Sequence, residues 1–167
     1  TVFPGMTDRL ARQLERSGRA DIDLAYCPER ILQGRSLEEL ARLPQLVGGA
    51  SERSAARAAE LFRLICPKVL FLRPIEAELA KLFCNAYRYL NFAISNQFFV
   101  IAEHFEANFH RIQHALKEDY PRMASFARPG FAAGPCLLKD TMQLGAFNHG
   151  SFVLGQAAMM INEGLPY

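Results

Sequence analysis

Cys136 is the side chain in this sequence best placed for covalent chemistry. It lies in the run Gly130-Phe131-Ala132-Ala133-Gly134-Pro135-Cys136-Leu137-Leu138-Lys139-Asp140. A loop of small residues lets a ligand approach the backbone closely. Cys136 then falls at the start of a helix, where unpaired N–H groups and the helix dipole favour the thiolate, the nucleophilic form. Asp140 follows four residues later on the same helix face, where a carboxylate can orient a water or move protons. The same spacing also fits a buried structural cysteine in a helix cap, and spacing alone leaves both open.

Lys81 and Asn85 form a second pair. At i and i+4 on a helix they point the same way, and a Lys beside an amide can hold a developing oxyanion. The bland alternative is a solvated Lys and a tolerated Asn. Against it, Asn is a poor helix former, and Lys81 is framed by Leu79, Leu82 and Phe83. Glu29, in Pro28-Glu29-Arg30, directly follows a strand-like run. The carboxyl end of a strand is where α/β sheets place ligands, although a bare tripeptide is a weak signal. His104, His110, His114 and His149 form no triad; His110 and His114 read as surface and the Met159-Met160 pair as core packing.

The elements that must position these groups differ between the two halves. Up to Arg73, strand-like runs (Asp23–Cys27, Gln45–Val47 and Lys68–Leu72) alternate with helix candidates. Ser36-Leu37-Glu38-Glu39 has the form of a capping box, and Ser51 is placed to cap a helix running to about Cys66. Such alternation suggests part of an α/β sheet. From Ile75 to about Phe105 there is no Gly and no Pro. That stretch is apolar at helical spacing, with Pro74 suited to a first turn. Roughly thirty residues give a helix of about 45 Å, a length suited to a spine between domains or subunits. Further helices are expected from about Asn108 to Asp119, over 136–148 and over 151–163. The predicted class is α+β, predominantly α, with a domain boundary near Arg73-Pro74.

Composition bounds the function. The 167 residues carry a net charge of +2 and are half hydrophobic. This is globular composition, with too little charge to suggest a nucleic-acid partner. Apolar runs are broken by charges, so no membrane span is expected, and no secretory leader is evident. Cys27, Cys66, Cys84 and Cys136 form no CxxC pair and have no His at ligand spacing, which argues against a metal or disulfide framework and for a cytoplasmic home. Thr1–Gly5 reads as the end of a strand and a turn, and Gly164–Tyr167 stops just after a helix. The chain is therefore expected to be a piece of a longer protein.

Taken in order, these pieces resemble the UDP-glucose/GDP-mannose dehydrogenase family. Thr1-Val2-Phe3-Pro4-Gly5-Met6-Thr7 looks like the family's STV-PGTT segment, and Pro28-Glu29 like its Pro-Glu. Glu78 through Asn85 is similar to its E-x-x-K-x-x-x-N helix, and Gly130 through Asp140 to its G-x-G-G-x-C-x-x-K-D loop. The sequence departs from that pattern at Ala132-Ala133, where glycines are usual, at Pro135 before the Cys, and at Gln33, where UDP-glucose enzymes often have a second Glu. Pro28-Glu29-Arg30 with Gly34-Arg35, and the short Arg122-to-Cys136 connection, look more like the UDP-N-acetylhexosamine branch, including UDP-N-acetylmannosamine dehydrogenases.

The resemblance implies the C-terminal part of a Rossmann-like NAD-binding domain over 1–73. Residues 74–167 would be a helical central domain whose spine helix builds a homodimer. The glycine-rich NAD fingerprint is absent from the sequence, so these residues alone are expected to be inactive. The implied activity is NAD-dependent oxidation of a nucleotide sugar's C6 alcohol to an acid through a cysteine-bound intermediate. Cys136 would be the nucleophile, with Lys81 and Asn85 stabilising the oxyanion. Asp140, Glu29 and Thr1 would manage water and protons, and Lys139 and Glu29 would face the cofactor. Ile31, Leu32, Arg122, Arg128, Gly130 and Phe131 would meet the nucleotide sugar. Two other functions compete: a non-catalytic helical dimerisation module, and a hydroxyacid dehydrogenase of the same domain plan. The latter uses a Lys and Asn on its spine helix but needs no catalytic Cys.

Overall fold

A computed structural model describes residues 1–32, 34–132 and 134–165. Of the positions singled out above, Gln33, Ala133 and Pro166-Tyr167 lie outside the described residues. The chain divides into two compact units, Thr1–Cys84 and Asn85–Tyr167.

The first unit is built on a three-stranded sheet in the order β1 (Ala25–Tyr26), β2 (Gln45–Gly49), β3 (Val69–Leu72). β2 and β3 run parallel, with Gln45 opposite Val69 and Gly48 opposite Leu72. β1 joins β2 antiparallel through Ala25–Gly49 and Tyr26–Gly48. The helices are α1 (Met6–Arg16), α2 (Ser36–Leu40) and α3 (Glu52–Arg63). α3 makes the crossover that a parallel pair requires. Ser51 caps it, accepting from the Ser54 amide at 3.1 Å. The helix ends at Arg63, short of the expected Cys66.

Gly48 and Gly49 admit their neighbours to the sheet at contact distance. A Cβ on Gly49 would sit 2.4 Å from the Ala55 nitrogen, and one on Gly48 would sit 2.9 Å from both Pro74 Cα and Ala77 Cβ. Both distances are inside van der Waals contact, so only glycine fits.

Four local expectations are corrected. α1 was not anticipated, although Met6, Leu10 and Leu14 recur every four residues along it; MTDRLARQLER is otherwise so polar that only Thr7 is buried. Thr1–Phe3 forms no strand. Ser36 is not a cap. Arg35 holds that position without a side-chain bond, while Glu39 reaches back to accept from the Leu32 amide at 2.7 Å. β1 is two residues long, not five. Beside it the Asp23 carboxylate binds Arg53 at 2.7 Å and Arg57 at 2.5 Å, and Ser54 Oγ accepts from the Leu24 amide at 3.3 Å. Side chains thus supplement the one backbone bond that Leu24 keeps, from the Ala50 amide to its carbonyl at 2.9 Å. The bonded Arg53 guanidinium, with Arg57, holds Asp23 below the ordinary carboxylate range.

α4 (Pro74–His104) runs through both units. The second unit adds α5 (Phe109–Lys117), a 3₁₀ turn at Pro121–Met123, α6 (Pro135–Phe147) and α7 (Val153–Gly164). Asn108 caps α5, accepting from the Arg111 amide at 3.1 Å. The core gathers Tyr89, Ala93, Leu137 and Ala158, with Met159 packed against it. Met160, expected in the core, is 79% exposed, because the neighbouring position on α7 already faces inward. Phe109 stacks edge-on against both Phe99 and Phe126, with centroids 6.0 Å away in each case.

The spine helix distributes its residues unexpectedly. Ser95 and Asn96 are fully buried, whereas Tyr87, Ile94, Phe98, Ile101 and Phe105 are exposed. Their spacings of three, four and seven put these apolar residues on one stripe.

Candidate functional site

In the first unit, a single carboxylate anchors the segment that carries Thr1. Glu78 is fully buried on α4. Its carboxylate accepts from the Gly5 amide at 2.5 Å, the Thr7 amide at 2.8 Å and Thr7 Oγ1 at 2.6 Å. Those amides belong to the first turn of α1, whose free N–H groups and positive dipole end suit an anion. Thr1 itself is exposed.

The same unit brings Lys81 and Glu29 together. The Lys81 side chain is largely buried, donates to the Glu29 carbonyl oxygen, and lies 3.7 Å from Glu29 Oε2. The loop after β1 is ordered from within. Glu29 accepts from the Ile31 amide, Arg30 donates to the Pro44 carbonyl, and Gln45 Nε2 donates to the Pro28 carbonyl at 3.1 Å. Ile31 is half-buried and Leu32 exposed. Behind the loop lies a cavity of about 140 Å³ with Cys27, Leu40, Phe62 and Cys66 in its wall. Burial there pushes the Cys27 thiol above its ordinary value. A thiol so placed is a poor nucleophile.

In the second unit, Cys136 is the second residue of α6 and is exposed. The buried structural cysteine is therefore not what the fold contains. Gly134 caps the helix at φ 80°, ψ 156°, a conformation that only glycine adopts readily. One turn beyond Cys136, Asp140 is fully buried. Asn85 Nδ2 donates to its Oδ2 at 2.6 Å, and the Lys139 ammonium lies 2.8 Å from its Oδ1. A buried charge is tolerable when paired in this way. The Lys139 side chain is half exposed, so its ammonium also faces solvent. Chemically, the arrangement is an accessible thiol in a helix's first turn, with a carboxylate one turn away oriented by an amide.

The loop before Cys136 is held by residues whose role the sequence did not disclose. Asn96 Oδ1 accepts from the Gly130 amide at 2.7 Å, and its Nδ2 donates to the Gly130 carbonyl at 3.0 Å. Ser95 Oγ donates to the Ala127 carbonyl at 2.8 Å, and Gln113 also donates to it. Ser and Asn side by side inside a long helix, where both propagate helix poorly, were the available signal. Arg128 and Phe131 are exposed. Arg122 is engaged by Tyr120, donating to its hydroxyl at 2.7 Å with the guanidinium 4.5 Å from the ring centroid. Among the described residues, no group of three or more His, Cys, Asp or Glu could hold a metal ion. No helix among them is long and apolar enough to cross a membrane.

The chain is similar to UDP-N-acetyl-D-mannosamine dehydrogenases from Pyrococcus horikoshii (34% identical over 99% of this chain and 41% of that protein) and Methanocaldococcus jannaschii (35% over 80% and 31%). Among solved structures it superposes on a UDP-D-ManNAc dehydrogenase from Pyrococcus horikoshii with a TM-score of 0.89 at 31% identity. That match covers 99% of this chain and 41% of the other. A UDP-glucose dehydrogenase from Pyrobaculum islandicum superposes at 0.86 and 25%, covering 99% and 40%. The chain thus spans about two fifths of the length of the first of these relatives. Residues 1–66 match the NAD binding domain, and residues 75–163 the central domain, of one family. With both stretches matching in order, and with Cys136 and Asp140 one turn apart on α6, the chain belongs to the UDP-glucose/GDP-mannose dehydrogenase family.

Proposed function

We propose that this chain carries the catalytic centre of an NAD-dependent nucleotide-sugar 6-dehydrogenase that oxidises a UDP-N-acetylhexosamine, N-acetylmannosamine above all, for polysaccharide precursor synthesis. The observation that carries the reading is the exposed Cys136 in the first turn of α6, one turn before a buried Asp140 that Asn85 orients. A hydroxyacid dehydrogenase or a bare dimerisation module has no use for that thiol.

The first oxidation converts the C6 alcohol to an aldehyde. The Cys136 thiolate adds to the aldehyde carbon, and the carbonyl oxygen becomes the oxyanion of a thiohemiacetal. Lys81 and Asn85 are the residues assigned to that charge. The second oxidation gives a thioester. Asp140, with Glu29 and Thr1, directs a water onto it, and hydrolysis releases the acid and restores the thiol. Covalent capture keeps the aldehyde from escaping and divides a difficult reaction into easier steps. NAD, when bound, accepts the hydride in each oxidation. The residues present would hold only part of it, since the glycine-rich fingerprint is absent: the parallel β2–α3–β3 crossover is of the kind found in dinucleotide-binding sheets, and the half-exposed Lys139 ammonium suits a phosphate. Glu29 is assigned to the same side of the chemistry. The nucleotide sugar would meet Arg122, Arg128, Gly130, Phe131 and the Ile31-Leu32 loop.

Residues 1–73 are assigned to the end of the NAD-binding domain and 74–167 to the central one. The exposed stripe on α4 supports a homodimer packed through that helix, since a solvent-facing row of aromatics calls for a cover. Four free cysteines support a cytoplasmic, reducing setting. The test is NAD reduction by the full-length protein against UDP-N-acetylmannosamine, UDP-N-acetylglucosamine, UDP-glucose and GDP-mannose. NADH formation with the first, at two equivalents per acid formed, is expected. No NADH with any of them would overturn the reading.

A further inference from the structure

The segment Phe126–Gly130 lies outside every helix and strand and, after a turn bond from the Phe126 amide to the Met123 carbonyl, has its backbone groups taken up largely by side chains. Lys117 donates to the Phe126 carbonyl at 3.3 Å, Gln113 and Ser95 donate to the Ala127 carbonyl, and Asn96 binds both the N–H and the C=O of Gly130. Backbone polar groups must be satisfied somewhere, and here the satisfaction is built from α4 and α5.

Asn96 is the centre of this arrangement. It is fully buried, and its amide is fully used. One N–H goes to Gly130, the other to Asn162 Oδ1 at 2.8 Å, and the oxygen accepts from Gly130. Asn162 in turn donates to the Tyr89 carbonyl at 3.1 Å. Each bond fixes which end of the amide points where, so no other side chain of similar size satisfies all of them. Asn96 acts on Gly130 as a neighbouring strand would, pairing N–H and C=O together. Gly130 holds φ 145°, a conformation that L side chains rarely adopt. The loop is therefore set in one shape by its glycine and kept there by the amide.

We infer that Asn96 is a positioning residue for the nucleotide-sugar site, holding the 127–130 backbone in the shape that receives the substrate, with Ser95 as its helper. The inference rests on the reading proposed above, in which that backbone cradles the nucleotide sugar. The Asn96 amide is taken up entirely by Gly130 and Asn162, so its effect should fall on substrate binding. In the full-length protein, Asn96→Ala should speed hydrogen exchange in the 126–132 segment while leaving the β2 strand unchanged. It should raise KM for the UDP-sugar about tenfold or more, with kcat and the KM for NAD within about twofold of wild type, because uniform binding is lost rather than transition-state contact. Ser95→Ala should move the same quantities in the same direction by less. It carries the test if Asn96→Ala does not fold. Unchanged exchange in 126–132, or a fall in kcat with both KM values moving together, would overturn the inference. A wild-type protein that oxidises no nucleotide sugar would instead remove the underlying reading, and the exchange measurement would still show whether Asn96 holds the loop.

Discussion

Glu78→Gln offers the sharpest test of how α1 is anchored. The wild-type carboxylate is fully buried and takes three hydrogen bonds, from the Gly5 amide at 2.5 Å, the Thr7 amide at 2.8 Å and Thr7 Oγ1 at 2.6 Å. Glutamine has nearly the same shape but presents one oxygen and one NH₂. If its oxygen keeps the two Thr7 bonds, its NH₂ faces the Gly5 N–H, donor against donor. Each bond to a charged acceptor is worth about 1.5–3 kcal/mol, and a stranded part-buried donor costs about 1–3 kcal/mol. The favourable charge at the α1 N-terminus, about 0.3–2 kcal/mol, is lost as well. Together these give roughly 3–8 kcal/mol. At about 2–4 °C per kcal/mol for a domain of this size, the midpoint of the transition that unfolds the part carrying α1 should fall by on the order of 10 °C. Calorimetry of the full-length protein at neutral pH measures it, and limited proteolysis should show cleavage within residues 1–16 first. A melting temperature within about 1–2 °C of wild type would refute the reasoning, since such a shift is below even a single lost bond.

In the full-length protein Cys136→Ser should abolish acid formation while leaving NAD binding intact, because a serine hydroxyl is not ionised near neutral pH; undiminished acid in an end-point assay would exclude the thioester route. Phe98→Glu, in the middle of the exposed stripe, should convert a dimer to a monomer in light scattering, and a wild-type protein that is already a clean monomer would disprove the dimer. Asp23→Asn should lower thermal stability at neutral pH, and the deficit should shrink in acid. The bonded arginines depress the folded-state value, so the stabilisation is present above the ordinary 3.8 and is lost as pH falls below it through the folded value. A deficit that stays constant down to strongly acidic pH would exclude the ion pairs as its source.

What the sequence disclosed and what it hid divide along physical lines. The spine helix was legible because nothing between Ile75 and Phe105 breaks it, and it forms over Pro74–His104. Cys136 was legible as a first-turn residue because Gly134-Pro135 punctuates the chain just before it. Ser51 and Asn108 cap the helices they were expected to cap. These are all local signals. α1 was missed although Met6, Leu10 and Leu14 recur at helical spacing, and only its anchor, 71 residues away in Glu78, left no local mark. Ser36 misled because a capping box describes a sequence, whereas the cap depends on backbone angles that Arg35 happened to adopt. The grip of Asn96 on Gly130 spans 34 residues and leaves no periodic trace. Only a pair of poor helix formers in the wrong place marked it.

At Gly48 and Gly49, main chain lies directly against main chain, with the first turns of α3 and α4 pressed onto β2. Such a junction has no rotamers to exchange. A side-chain layer can take up a small displacement by letting its members hop between wells, and it stores entropy in doing so. Bare backbone contacts can do neither. Two residues without side chains therefore set the spacing of α3 and α4 on β2, and a methyl group at either would have to lift a helix off the sheet.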